Sequence, residues 1–441
     1  MSIEFLKKAP KSASSGESDV RDKVRAMLDD IESGGEEAAR RYTSNFDGWD
    51  GDILVSPEAR AAAAKRVPQS IRNDIAFARE QVCTFARAQK SWLPNAQTEL
   101  HPGVTAGHRH VPVQTAGCYV PGGRYAHVAS AIMSVGTAKE AGVKNIIACS
   151  PPSNAHGGMH PAILYTLDLC GADHILNLGG VQGIAAMAFG LFSGHSADVL
   201  AGPGNQYVAE AKRLLYGFTG IDMFAGPTEI LVIADDTADA EIVACDLVGQ
   251  AEHGPNSPAW LISLSSSLAN KVMQLVPQMI EALPEPNRSH AMQSWQEYGE
   301  VAVADSQEDA AVLSDRYAAE HLEVHCANLD WWQSRLINYG SLFLGEETTV
   351  AYGDKVSGPN HILPTKGAGR YTGGLSVAKF MKTVTWQRMT REANRDIGAA
   401  TARISRLEGM EGHARTADLR LAKWFPDEKF ILQSENLSDN S

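Results

Sequence analysis

Apolar positions change their spacing along the chain. "DVRDKVRAMLDDIES" (19–33) and "PEARAAAAKRVPQSIRNDIAFAREQVCTFARAQ" (57–89) recur apolar at helical spacing. From about residue 111 short continuous apolar runs alternate with helix-like segments. The runs are "NIIACS" (145–150), "HILNLGG" (174–180), "ADVLAG" (197–202), "EILVIAD" (229–235), "AWLISL" (259–264), "VAVAD" (301–305), "HLEVHC" (321–326) and "SLFLG" (341–345). Runs this short, without polar alternation, predict strands covered on both faces, the habit of parallel sheets with helical crossovers. One sheet would be large, so the pattern predicts doubly wound α/β architecture in two sheets, with a boundary near residue 228. After residue 375 the strand signal stops, and residues 376–425 read as helices. The opening "KSASSGES" (11–18) reads as flexible and the polar tail "QSENLSDNS" (433–441) as disordered. No repeat of solenoid period is present.

Composition narrows the class of partner. A chain of 441 residues with 44% hydrophobic and 21% charged residues has the make-up of a globular protein with room for two or three domains. The formal net charge of −13 repels nucleic acid and anionic lipid, so neither is an expected partner. An anionic substrate would need a local cationic pocket. The N-terminal stretch lacks the apolar core of a signal peptide, and no apolar run approaches the roughly 20 residues of a membrane span. Six scattered cysteines without a Cys-x-x-Cys read as small core residues in a reducing cytosol, which predicts a cytoplasmic protein.

Chemistry concentrates in a few segments. In "EIVACDLVGQAEHGP" (241–255), Ile242, Cys245, Leu247, Val248 and Ala251 predict the inward face of a helix that "DTAD" can start and Gly254-Pro255 stops. Gln250 and His253 then fall one turn apart on one face, where an amide oxygen and an imidazole can converge on an ion. Taken alone, a helix-end Gln-x-x-His more often meets water. "YGDKVSGPNHILPT" (352–365) places Asp354 and His361 in a sharply turning loop. "YAAEHLEV" (317–324) repeats the Ala-Glu-His triplet, but with Glu320 and His321 where a helix gives way to a strand. There they suit an acid/base pair better than co-ligands. "LGGVQGIAAMAFG" and "LAGPGNQYVAEAKRLL" are glycine turns able to present backbone amides to a phosphate, though neither is Gly-x-Gly-x-x-Gly. "GCYVPGGRYAHVAS" (117–130) holds Arg124 and His127 after a glycine turn.

Together these segments resemble the histidinol dehydrogenase family from about residue 20 to 420, through "YVPGG", "GGVQGIAA", "GPGNQYVAEAKR", "GIDMFAGPTEILVIAD", "QAEHGP", "EHLEV", "GDKVSGPNHILPT" and "EGMEGH" in the family's order. The resemblance implies a zinc-dependent, NAD-linked homodimer that oxidises a primary alcohol through the aldehyde to the carboxylate. It implies two Rossmann-like domains in an intertwined dimer: residues 19–118 with 229–375, and residues 119–228. A flexible segment (1–18) precedes them and a helical dimerisation segment (376–441) follows. By motif, zinc would be held by Gln250, His253, Asp354 and, across the interface, His413. Glu320 and His321 match the catalytic pair. Tyr119, Gln182 and Asn205 match NAD contacts. Thr228, His361 and Glu408 match substrate positions, with Thr228 standing where serine is usual.

Two departures bear on substrate. Arg124-Tyr125-Ala126-His127 replaces small or apolar residues after Pro-Gly-Gly, and Thr349-Val350-Ala351-Tyr352-Gly353-Asp354-Lys355 loses an acid and gains Lys355 beside an expected zinc ligand. In these the chain looks like the family branch that oxidises 2,3-dihydroxypropane-1-sulfonate to 3-sulfolactate. A sulfonate is ionised at neutral pH and gains from Arg124, His127 or Lys355, whereas the cationic histidinol is repelled by added cations. The resemblance leaves two rivals open: oxidation of histidinol to histidine, and a catalytically idle member that binds a metal or anion.

Overall fold

The computed structural model describes residues 2–11, 18–122, 126–224 and 226–433. Arg124, the interior of the opening segment and the tail beyond residue 433 therefore lie outside the described residues. In chain order the strands are β1 (Ile3–Lys7), β2 (Ala96–His101), β3 (Val104–Pro112), β4 (Thr115–Tyr119), β5 (Asn145–Ser150), β6 (His174–Asn177) and β7 (Val199–Ala201). They continue with β8 (Gly220–Ile221), β9 (Ile230–Ala234), β10 (Ala259–Ser263), β11 (Glu300–Ala304), β12 (His321–His325), β13 (Ser341–Leu344) and β14 (Met381–Met389). Every apolar run singled out in the sequence contains a strand.

The chain divides into two compact units, Met1–Ser91 with Pro112–Met381, and Trp92–Val111 with Lys382–Ser441. The first holds two sheets. One has the order β6-β5-β4-β7-β8 and is parallel throughout. The other has the order β1-β11-β10-β9-β12-β13, parallel except for β1, which pairs antiparallel with β11 at one edge. The doubly wound α/β expectation holds, with this edge strand as an addition.

Burial explains the sequence pattern. Ile230, Leu231, Val232 and Ile233 of β9 are wholly buried on both faces. On one side lie helices Ala240–Ala251 and Ser266–Glu281, on the other Gln307–Tyr317 and Leu329–Arg335. Burying each such side chain stabilises the fold by about 1.5–3 kcal/mol at most. The five-stranded sheet is covered by helices Ser18–Asp47, Gly180–Phe189 and Gln206–Leu215.

Three expectations change. The inward face of the helix Ala240–Ala251 is Val243, Ala244, Leu247, Val248 and Ala251, whereas Ile242 and Cys245 are exposed. The other five cysteines are buried, as read. Residues 381–389 form β14 rather than helix, in a three-stranded sheet of order β14-β3-β2. In "MKTVTWQRM" the half-buried Val384 and Trp386 alternate with exposed Thr383, Thr385 and Gln387, which suits a half-exposed strand, and Lys382 and Arg388 on the same face as Val384 and Trp386 masked that period. In the second unit, helices Asn394–Leu407 and Glu411–Trp424 pack through Ala399, Ala402, Ala414, Ala417 and Leu421. Among the described residues no helix is long and apolar enough to cross a membrane.

Candidate active site

Parallel register sets the site. Ile230 of β9 pairs with His321 of β12, which brings Thr228 and Glu229, just before β9, against Glu320, just before β12. The Thr228 hydroxyl donates to Glu320 Oε2 at 2.5 Å and the Glu229 amide donates to the same oxygen at 3.0 Å. The Glu320 amide donates to Glu229 Oε1 at 3.3 Å. Burial raises the Glu320 carboxyl well above the ordinary range, against the pull of these donors. Burial also pushes Glu229 up to about 7.

His321 has a defined tautomer. Its Nδ1 lies 2.9 Å from the Glu229 carbonyl oxygen, which can only accept, so Nδ1 carries the proton. Nε2 is then a bare lone pair, buried without a hydrogen-bond partner among the described residues and 3.8 Å from Asp354 Oδ1. Burial lowers the ring's pKa, which keeps it neutral. A buried neutral imidazole with an unused basic nitrogen is a proton acceptor in waiting.

The expected metal donors of the first unit surround this pair. Gln250 lies in the last turn of its helix, and its Nε2 donates to Thr228 Oγ1 at 2.5 Å, so the amide oxygen is the atom left to ligate. His253 does not share the helix face, because the helix ends at Ala251 and Glu252 closes it. A turn carries the ring instead, with the His253 amide donating to the Gln250 carbonyl at 3.2 Å. Asp354 sits in the short helix Val350–Lys355 rather than in the loop that follows. Burial works against its charge, but His321, His361, Lys355 and His253 hold it below the ordinary carboxylate value. His361 Nδ1 donates to the Asp354 carbonyl at 2.8 Å, and its Nε2 accepts from the Ser130 hydroxyl at 3.0 Å. An amide oxygen, an imidazole and a carboxylate make a donor set suited to zinc. His413 and Glu408 belong to the second unit, where both are exposed.

Beside these donors a cavity of about 340 Å³ is lined by His127, Ser130, Glu252, His253, Asn287, Lys355 and His361, with Ala126, Val128 and Ala129. Two of the three residues read from sequence as sulfonate partners therefore line it. Lys355 Nζ lies 3.7 Å from Asp354 Oδ2 with most of its side chain exposed. His127 is pushed down to about 4, first by burial and then by His361 and Lys355, so it meets a ligand as a neutral ring. Asn287 donates to Glu252 Oε2 at 2.7 Å. Ser130, Glu229, Glu252 and Asn287 were not singled out in the sequence. Their partners lie too far along the chain for spacing to show them.

A second cleft, of about 870 Å³, collects Tyr119, Gln182 and Asn205 with Asp47, Gly180, Gly204 and Tyr207. Both glycine turns read from sequence reach it. The Gly180 amide donates to the Tyr119 hydroxyl at 3.1 Å, and Gln182 Nε2 donates to Asp47 Oδ2 at 3.0 Å. Asn205 Oδ1 caps the helix Gln206–Leu215 by accepting from Tyr207 and Val208.

The sequence model described as histidinol dehydrogenase matches residues 10–421. A sulfopropanediol 3-dehydrogenase of Ruegeria pomeroyi is 57% identical over 98% of this chain and 99% of its own. A histidinol dehydrogenase homolog of Pelagibacter ubique is 58% identical over 96% of this chain and 99% of its own. Among solved structures, the histidinol dehydrogenase of Elizabethkingia anophelis superposes with a TM-score of 0.87 at 34% identity, covering 94% of each chain.

Proposed function

Because the chain belongs to the histidinol dehydrogenase family, we propose that it oxidises the primary alcohol of 2,3-dihydroxypropane-1-sulfonate to the carboxylate of 3-sulfolactate. In this reading the reaction takes up water and gives two hydrides to two molecules of NAD. An oxidoreductase acting on a CH–OH group follows from the family; the substrate, the zinc and the NAD are the proposal. The relative from Ruegeria pomeroyi carries the name of this activity. The observation that carries the substrate choice is the cavity wall, where the Lys355 ammonium stands with His253 and His361.

His321 Nε2 takes the hydroxyl proton as the adjacent C–H bond breaks, since Nδ1 is already committed to the Glu229 carbonyl. Glu320 takes a proton from the water that hydrates the aldehyde, which lets a second hydride leave from the same carbon. Thr228 holds that carboxyl and the Gln250 amide at once, and so ties the base to a metal donor. Gln250, His253, Asp354 and His413 of the partner subunit would hold zinc, which supplies polarisation and orientation of the substrate oxygens when bound. Tyr119, Gln182 and Asn205 would hold the dinucleotide, which supplies the hydride acceptor. Lys355 would bind the sulfonate with a charge-assisted contact of about 1.5–3 kcal/mol.

Histidinol oxidation remains the second reading, favoured by the acid Glu252 on the same wall, although Asn287 occupies one of its oxygens. Assaying the purified protein with NAD and each alcohol separates the two. Turnover of the sulfonate diol, with a KM raised at least tenfold by Lys355→Met, is the expected result. Turnover of histidinol and not of the diol would overturn the choice.

A further inference from the structure

Behind the active site, on the same helix and strand, lies a cluster that the reaction does not use. Asp246 sits one turn before Gln250, and Glu323 and His325 follow His321 on β12. Glu323 has no exposed surface and His325 is 2% exposed. Both ring nitrogens of His325, Asp246 Oδ2 and Glu323 Oε2 are buried without a well-formed hydrogen bond among the described residues, although Glu323 lies near enough to both partners to raise the pKa of His325 and of Asp246. The second oxygen of each carboxylate is, by contrast, fixed. Thr349 donates its hydroxyl to Asp246 Oδ1 at 2.9 Å, and the Val350 amide donates to Glu323 Oε1 at 2.7 Å.

We propose that Asp246, Glu323 and His325 form a second divalent-metal site, independent of the donors around His253, that takes zinc or an ion of similar size. His325 Nε2 lies 3.5 Å from Glu323 Oε2 and 3.8 Å from Asp246 Oδ2, and the candidate ligand atoms all fall within 4.8 Å of one another. Zinc bonds of roughly 2.0–2.2 Å place neighbouring ligands about 3.4 Å apart in a tetrahedron. The observed spacing fits an ion between the three groups. It is too long for the competing account, a protonated imidazole bonded directly to two carboxylates, which would bring the atoms to about 2.7–2.9 Å. Orphaned buried polar atoms of this kind are costly unless something joins them. Fixing one oxygen of each carboxylate while aiming the other inward is how outer hydrogen bonds orient metal ligands. The consequence is a clip joining the helix that carries Gln250 to the strand that carries His321.

Zinc titration of chelator-stripped protein, with bound metal counted after gel filtration, tests this independently of activity. The expected stoichiometry is about two ions per chain for the parent, about one for His253→Ala, about one for His325→Gln or Asp246→Asn, and none for a variant combining the two sites. Circular dichroism checks that each variant is folded, and Asp246→Asn keeps the shape of the original should His325→Gln fold poorly. Cobalt added to the folded His253→Ala protein should produce visible d–d absorption. Zinc content unchanged in folded His325→Gln and Asp246→Asn overturns the proposal. So does a parent that saturates at one ion which His253→Ala removes. If that single ion is instead lost in His325→Gln and kept in His253→Ala, the second site stands and the assignment around His253 fails.

Discussion

The proton chemistry rests on one carbonyl. Glu229 presents its oxygen to His321 Nδ1 and thereby leaves Nε2 with the free lone pair that the proposed base needs. Replacing His321 by glutamine should lower kcat by about 10²–10⁴-fold with bound zinc unchanged, as steady-state rates and metal analysis on the same sample would show. Glu320 predicts a pH dependence. Its carboxyl is held well above the ordinary range, so it keeps its proton at pH values where a free glutamate is ionised. As a base it works only once that proton is lost. Activity should therefore fall as pH drops through the raised pKa and recover above it. Burial moves His321 the other way, lowering its pKa and favouring the neutral ring. Glu320→Gln should be slow and should lack that acid limb in its kcat profile; an unchanged limb would remove Glu320 from the role. At this scale the sequence pointed to residues that the structure gathers wherever they sit in short motifs, as at Gln250 and His253 or at Glu320 and His321. It was silent on Ser130 and Glu229, because each acts on a histidine 231 or 92 residues away.

Elements place these residues through close approaches that depend on single positions. Gly202 follows β7 with φ +119°, and a Cβ there would lie 2.0 Å from the Tyr119 carbonyl oxygen. Asp222 Oδ2 accepts from the Gly202 amide at 2.8 Å, and Lys212 Nζ donates to the Gly202 carbonyl at 2.9 Å while pairing with Asp222. Gly202→Ala should displace Tyr119 from the cleft proposed for the dinucleotide and raise the KM for NAD at least tenfold, with a lower Tm. Lys212→Met strands the buried Asp222 and should destabilise by about 3–5 kcal/mol in denaturant melts. An unaffected KM for NAD in Gly202→Ala would argue that the dinucleotide binds elsewhere. Eight strands were legible because both-sided burial writes itself as continuous apolar runs. β1, β2, β3 and β14 were not, since half-exposed strands carry charged and polar residues that blur the period, and the buried β4 ("TAGCY") and the two-residue β8 hold too few large apolar residues to form a run.

For the whole molecule, a net charge of −13 leaves an anionic substrate dependent on local cations, of which Lys355 is the one on the described cavity wall with most of its side chain in solvent. The proposed dimer adds a requirement. If His413 serves the neighbouring copy, neither His413→Ala nor Glu320→Gln is active alone. Mixed dimers of the two then contain one intact site, and random mixing should restore about a quarter of parent activity. No recovery after confirmed subunit exchange would place His413 outside its neighbour's site. The central claim, that one site carries the alcohol through to the acid, is tested most directly by counting NADH formed against 2,3-dihydroxypropane-1-sulfonate consumed while identifying the product. The account predicts a ratio of about two with 3-sulfolactate as the product. A ratio of one with free aldehyde accumulating, or no reduction of NAD with the diol, would contradict it.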